Sequence, residues 1–153
     1  MTTEMETSST LILGETVTQV EVFQKFEDMD IPDKLLRGVF GYGFEKPSEI
    51  QKRAIVPIAQ GRDVLAQAQS GSGKTGTFTI GSMCRMDPSI PKVQILVLVP
   101  THELAEQIYK VAKGIGTYIG CKSHYAIGGN PIKDDIDAIN NGCQFLVGTP
   151  GRI

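Results

Sequence analysis

The stretch Ala68-Gln69-Ser70-Gly71-Ser72-Gly73-Lys74-Thr75 constrains this chain more than any other. A short apolar run, Val64-Leu65-Ala66, precedes it, and apolar residues at helical spacing, Phe78, Ile80 and Met83, follow it. That order predicts a strand, a glycine-rich turn and a helix, the setting of a phosphate-binding loop. Successive backbone N–H groups in such a turn face one concavity and can hold phosphate oxygens. The helix that follows adds unpaired N–H groups and the positive end of its dipole. Lys74 is spaced to reach the β and γ phosphates of a nucleoside triphosphate, and the Thr75 hydroxyl to ligate Mg²⁺, so these two are the candidate catalytic residues. One position departs from the general pattern: Ala68 stands where a glycine is usual.

The flanking sequence repeats the same alternation. An all-apolar run at 94–99 has the character of a strand buried on both faces. A helix is predicted over 101–114 with Thr101 as its cap, then a strand at 122–127 and a Gly128-Gly129 turn. A helix over 131–141 and a strand at 144–147 complete the run. With the expected strand at 64–68 and helix at 74–86, this is an α/β chain with an open parallel sheet and helices on both faces. In such sheets ligands bind beyond the carboxyl ends of the strands. The phosphate loop, Pro100-Thr101, Gly128-Gly129 and Thr149-Pro150 all fall there. Ahead of the sheet, helices are predicted from Pro32-Asp33 to Gly41-Tyr42-Gly43 and from Pro47-Ser48, with Pro57 limiting or bending the second.

Composition narrows the class. Residues 1–30 carry seven acids and one base, whereas the rest carries an excess of four bases. Residues 1–20 are rich in Thr, Ser and Glu and are expected to form a disordered acidic tail ahead of a mildly basic body. Cys84, Cys121 and Cys143 form no C-x-x-C pair, and His102 and His124 lack ligand spacing, which argues against zinc and for a reducing compartment. No signal peptide or membrane-length apolar run is visible.

Several further stretches, in order, resemble the motifs of DEAD-box RNA helicases. Gly43-Phe44-Glu45-Lys46-Pro47-Ser48-Glu49-Ile50-Gln51 resembles that family's Q motif, with Phe26 as the isolated aromatic ahead of it. Ala68 to Thr75 resembles the family's own phosphate loop, in which Ala at the first position is usual. Pro100-Thr101-His102-Glu103-Leu104-Ala105 resembles motif Ia, Gly128-Gly129 the double-glycine motif, and Thr149-Pro150-Gly151-Arg152 motif Ib. The resemblance runs from about Phe23 to Ile153 and is strongest toward the translation-initiation branch.

The resemblance implies a RecA-like phosphate-loop NTPase fold over residues 21–153, roughly the first two-thirds of the first of two such domains. It implies ATP and Mg²⁺ as cofactors. Residues 68 to 75 (Ala68, Gln69, Ser70, Gly71, Ser72, Gly73, Lys74 and Thr75) would hold the phosphates. Gln51 would read adenine, Phe26 would stack on the base and Lys46 would sit beside it. Thr101, His102, Gly128, Gly129, Thr149 and Arg152 would contact the backbone of single-stranded or duplex RNA, His102 standing where the family has Arg. Translation initiation factors are implied as partners, and a cytoplasmic location, or a nuclear one for a paralogue. The Asp-Glu-Ala-Asp stretch that names the family does not occur in these 153 residues. The chain by itself is therefore expected to bind weakly and not to hydrolyse ATP usefully. Two other readings stay open: a different phosphate-loop enzyme, such as a small kinase or GTPase, and a non-catalytic competitor or scaffold. Against a GTPase, no Asn-Lys-x-Asp occurs.

Overall fold

The computed structural model describes residues 20–153; the expected acidic tail lies almost wholly outside them. A 3-10 turn at Phe26–Met29 leads to α1 (Asp33–Tyr42) and α2 (Glu49–Ala59). Then come α3 (Lys74–Met83), β1 (Ile95–Leu98), α4 (His102–Ile115), β2 (Ser123–Ala126), α5 (Ile132–Asn140) and β3 (Phe145–Gly148). The chain is α/β, as its alternation predicts.

The three strands are parallel in the order β1-β3-β2. The chain moves outward from β1 to β2 and then steps back to β3. Right-handed crossovers therefore put α4 and α5 on opposite faces. Burial agrees. On one face Ile95, Val97, Phe145 and Val147 join Ala105, Ile108, Ala112 and Ile115 of α4, together with residues of α1 and α3, in the main core. On the other face Leu146 and Ala126 pack with Cys143 in a small cluster. Leu96 and Leu98 of β1 also lie on that second face and are half exposed.

Local chemistry explains the ends. Gly43 takes φ +113° and closes α1 by donating its N–H to Phe40 and Val39 carbonyls. Thr101 caps α4 by accepting from Leu104 N at 3.2 Å. α2 runs through Pro57 and stops two residues later, so the proline limits the helix without breaking it where it stands.

One expected element needs correction. Among the described residues, 64–68 pair with no strand of the sheet, and Leu65 alone is a bridge position. A strand exists only through its pairing, and among the described residues β1 pairs with β3 alone. Val64, Ala66, Val97 and Leu98 line a common cleft.

Candidate nucleotide and RNA site

The glycine-rich turn leads directly into α3. Gly71 and Gly73 sit at φ +79° and +93°, a backbone region that side chains disfavour, and Gly73 caps the start of α3. A methyl group added at Gly73 would lie 2.7 Å from both Gln51 Nε2 and Ser48 Oγ. The loop is thus packed against the start of α2 too closely for any side chain. The Ser72 hydroxyl is buried in the loop with no hydrogen-bond partner, an orphaned donor where a phosphate oxygen would satisfy it. Lys74 Nζ crosses the mouth of the loop and donates to the Ala68 carbonyl at 2.7 Å. A phosphate must take that ammonium from Ala68. Thr75 lines the same cleft, about 820 Å³ in volume, with Ser70, Gly71 and, from the carboxyl end of β1, Val99 and Pro100. These features fit a phosphate chain, and Thr75 brings a hydroxyl of the kind that could hold its Mg²⁺.

The base-proximal residues fall differently from expectation. Phe26 is wholly buried, its edge against Phe40 and Phe44 at centroid distances of 6.1 and 6.4 Å. It presents no face to stack on. Its aromatic bulk is spent anchoring the 3-10 turn to α1. Phe44 and Tyr42 line the cleft instead, and Phe44 also meets α3: a methyl on Gly76 would lie 2.9 Å from its Cζ. Phe44 stands within the Q-like stretch, so the sequence held the signal. Gln51 is 1% exposed. Its Oε1 accepts from Ser48 N at 2.9 Å, and its Nε2 donates to the Gly73 carbonyl at 3.2 Å. In this geometry Gln51 ties α2 to the phosphate loop. Lys46, Gln69 and Ser70 are exposed, and Ala68 is half-buried.

The expected RNA contacts come together at the carboxyl ends of the strands. Thr101 and His102 open α4 and are exposed. Gly128 lies near His102: a methyl added to it would sit 3.7 Å from His102 Nε2. The second and third loops are joined by the Arg152 guanidinium, whose Nη2 donates to the Asn130 carbonyl at 2.6 Å. Arg152 Nε donates to Asp135 Oδ2 at 2.7 Å. Asp135 Oδ1 meets His124 Nε2, also at 2.7 Å. Burial pushes the Asp135 carboxyl up, but its hydrogen bonds from His124 and Arg152 outweigh this and hold it below its ordinary value. Asp135 was invisible to motif reading, one acid among several on a short helix.

The cysteines are bystanders. Burial pushes the Cys84 and Cys143 thiols up to about 11, which leaves them protonated and unreactive near neutrality. Among the described residues no cluster of three His, Cys, Asp or Glu could hold a metal, and no helix is long and apolar enough to cross a membrane.

Comparison with known proteins agrees with this geometry. Residues 48–153 match the family model for the DEAD/DEAH box helicases. The chain is 52% identical over 133 residues to eukaryotic initiation factor 4A of Drosophila melanogaster, covering 87% of this chain and 33% of that protein. It is 53% identical over 132 residues to the ATP-dependent RNA helicase eIF4A of Mycosarcoma maydis, covering 86% and 32%. A solved structure of a variant of S. cerevisiae Dbp5, bound to a Gle1 variant and IP6, superposes with a TM-score of 0.74 at 31% identity, covering 86% of this chain and 33% of that one. The chain thus spans about a third of the length of these relatives. By its phosphate loop, its three loops at one sheet edge and the match over 48–153, the chain belongs to the DEAD/DEAH box helicase family.

Proposed function

We propose that this chain supplies the ATP-binding and RNA-binding face of an ATP-dependent RNA helicase acting in translation initiation. The observation that carries the reading is the phosphate loop and its position. Its glycines hold left-handed conformations, its buried Ser72 hydroxyl lacks a partner, and Lys74 spans its mouth. At the strand ends His102 lies near Gly128, and Arg152 is hydrogen-bonded to Asn130.

The roles follow from the groups present. Backbone N–H groups of residues 71–75 and the start of α3 bind and orient the phosphates. Lys74 leaves the Ala68 carbonyl and neutralises the β and γ oxygens. Thr75 holds Mg²⁺, which when bound draws charge from the phosphates. Thr101, His102, Gly128, Gly129, Thr149 and Arg152 grip the RNA backbone through hydroxyl, ring, N–H and guanidinium groups. These contacts hold RNA without reading sequence. No Asp-Glu-Ala-Asp stretch occurs in these residues, so hydrolysis and strand separation are assigned to the whole helicase. The initiation-factor relatives favour other initiation factors as protein partners and the cytoplasm as the location.

Titration of the 153-residue chain with a fluorescent ATP analogue tests the reading. Lys74→Ala should weaken binding at least tenfold, with the circular dichroism spectrum unchanged. Equal affinity in the two proteins would reduce Lys74 to a surface residue at a helix start and overturn the nucleotide assignment.

A further inference from the structure

Asp135 is the one buried residue of α5, while Ile132, Ile136 and Ile139 of the same helix face solvent at 63%, 51% and 42% exposure. A helix that turns its carboxylate inward and its isoleucines outward forgoes apolar burial. Stability alone would favour the reverse. What the inward carboxylate gains is position. Its two oxygens accept from two different elements, His124 on β2 and Arg152 after β3, at 2.7 Å each. An ionised carboxylate can only accept, so His124 Nε2 carries the hydrogen it shares.

The consequence lies in Arg152. A guanidinium has five N–H donors in a fixed plane. One, on Nε, goes to Asp135, and one, on Nη2, goes to the Asn130 carbonyl. Nη1 has no hydrogen-bond partner among the described residues. One edge of the plane is therefore fixed to protein, and Nη1 keeps its donors uncommitted on a side chain that is 14% exposed. The same two bonds lock the loop of Gly128, Gly129 and Asn130 to the turn of Thr149 to Arg152.

We propose that Asp135, steadied by His124, is a positioning residue for RNA. It fixes the plane of Arg152 and joins two of the three RNA loops into one rigid groove. The inference rests on the RNA-binding reading above. Asp135 touches no RNA itself; it acts through Arg152.

The test measures the anisotropy of a fluorescein-labelled oligouridylate titrated with the 153-residue chain, across a range of salt. Asp135→Asn should weaken RNA binding about tenfold, the scale of a lost charge-assisted hydrogen bond. The salt slope should become shallower by about 0.7, one phosphate contact fewer. Affinity for the ATP analogue should not move. Asp135→Glu, which keeps the charge, should recover most of the RNA affinity. In an Arg152→Ala background, Asp135→Asn should cost nothing further. Should Asp135→Asn fail to fold, His124→Ala serves in its place, with the same unchanged nucleotide affinity and a weakening of about threefold. If Arg152→Ala weakens RNA binding but Asp135→Asn and His124→Ala do not, Asp135 is only a structural ion pair and the inference falls alone. If the unsubstituted chain binds no RNA, the RNA reading falls and takes this inference with it.

Discussion

Gln51 shows what a motif match conveys and what it omits. Its place in the Q-like stretch pointed to an amide near a base. The structure shows the same amide bonded to Ser48 N and the Gly73 carbonyl. The two roles predict different outcomes. As a tie between α2 and the loop, Gln51→Ala should weaken ATP and GTP binding alike, by about the 1–3 kcal/mol of a buried polar group left unpaired. As an adenine reader it should weaken ATP alone. Paired titrations with the two nucleotides decide between them, and the geometry favours the equal loss. Asp135 supports a second prediction at this scale. Its folded carboxyl lies below its ordinary value, so its contribution to stability is present above the unfolded pKa of about 3.9 and is lost as pH falls through the folded value. Asp135→Asn should remove that part of the acid sensitivity, flattening the fall in melting temperature below pH 4. An unchanged acid profile would mean the ion pairs with His124 and Arg152 do not persist in solution. Neither role was legible in the sequence. A side chain's partners come from distant segments, and Arg152 is 17 residues from Asp135.

Helices were the most legible elements. Amphipathic spacing and end signals are local, and α4 is bounded by Thr101 and Gly116 within a residue of expectation. The composition of 64–68 is strand-like, but pairing is not local and is not carried by the segment's own residues. Packing between helices was equally hidden. Gly38 lies in the middle of α1, where glycine lowers helix propensity. The structure supplies the reason: a methyl there would sit 1.9 Å from the Ile115 carbonyl oxygen of α4. The two helix backbones touch at that point. Gly38→Ala should therefore destabilise the chain by about 1–3 kcal/mol through overpacking, although propensity alone would make it stabilising. A urea melt gives the sign directly. Increased stability would show that α1 and α4 stand further apart than described.

At the scale of the whole molecule, the parallel sheet and the gathering of its loops at one edge followed from the βαβ alternation, whereas the strand order and the distribution of exposed apolar surface did not. Among the described residues β1 pairs on one side only. On the face away from the main core it shows Leu96 at 50% and Leu98 at 54% exposure. An unpaired edge with apolar side chains is a template for pairing with another chain. The α5 stripe of Ile132, Ile136 and Ile139 is a second apolar surface, yet its backbone is hydrogen-bonded within the helix and offers no edge to extend. Backbone pairing at β1 therefore dominates, and the 153-residue chain should self-associate through that edge. Sedimentation velocity should show a weight-average mass rising with concentration. Leu96→Lys together with Leu98→Lys places two charges on the edge and should hold the chain monomeric. Ile136→Lys should leave the self-association in place. If Ile136→Lys abolishes it and the paired leucine change does not, contact between helix faces outweighs strand pairing, and the free edge of β1 is better protected than its geometry indicates.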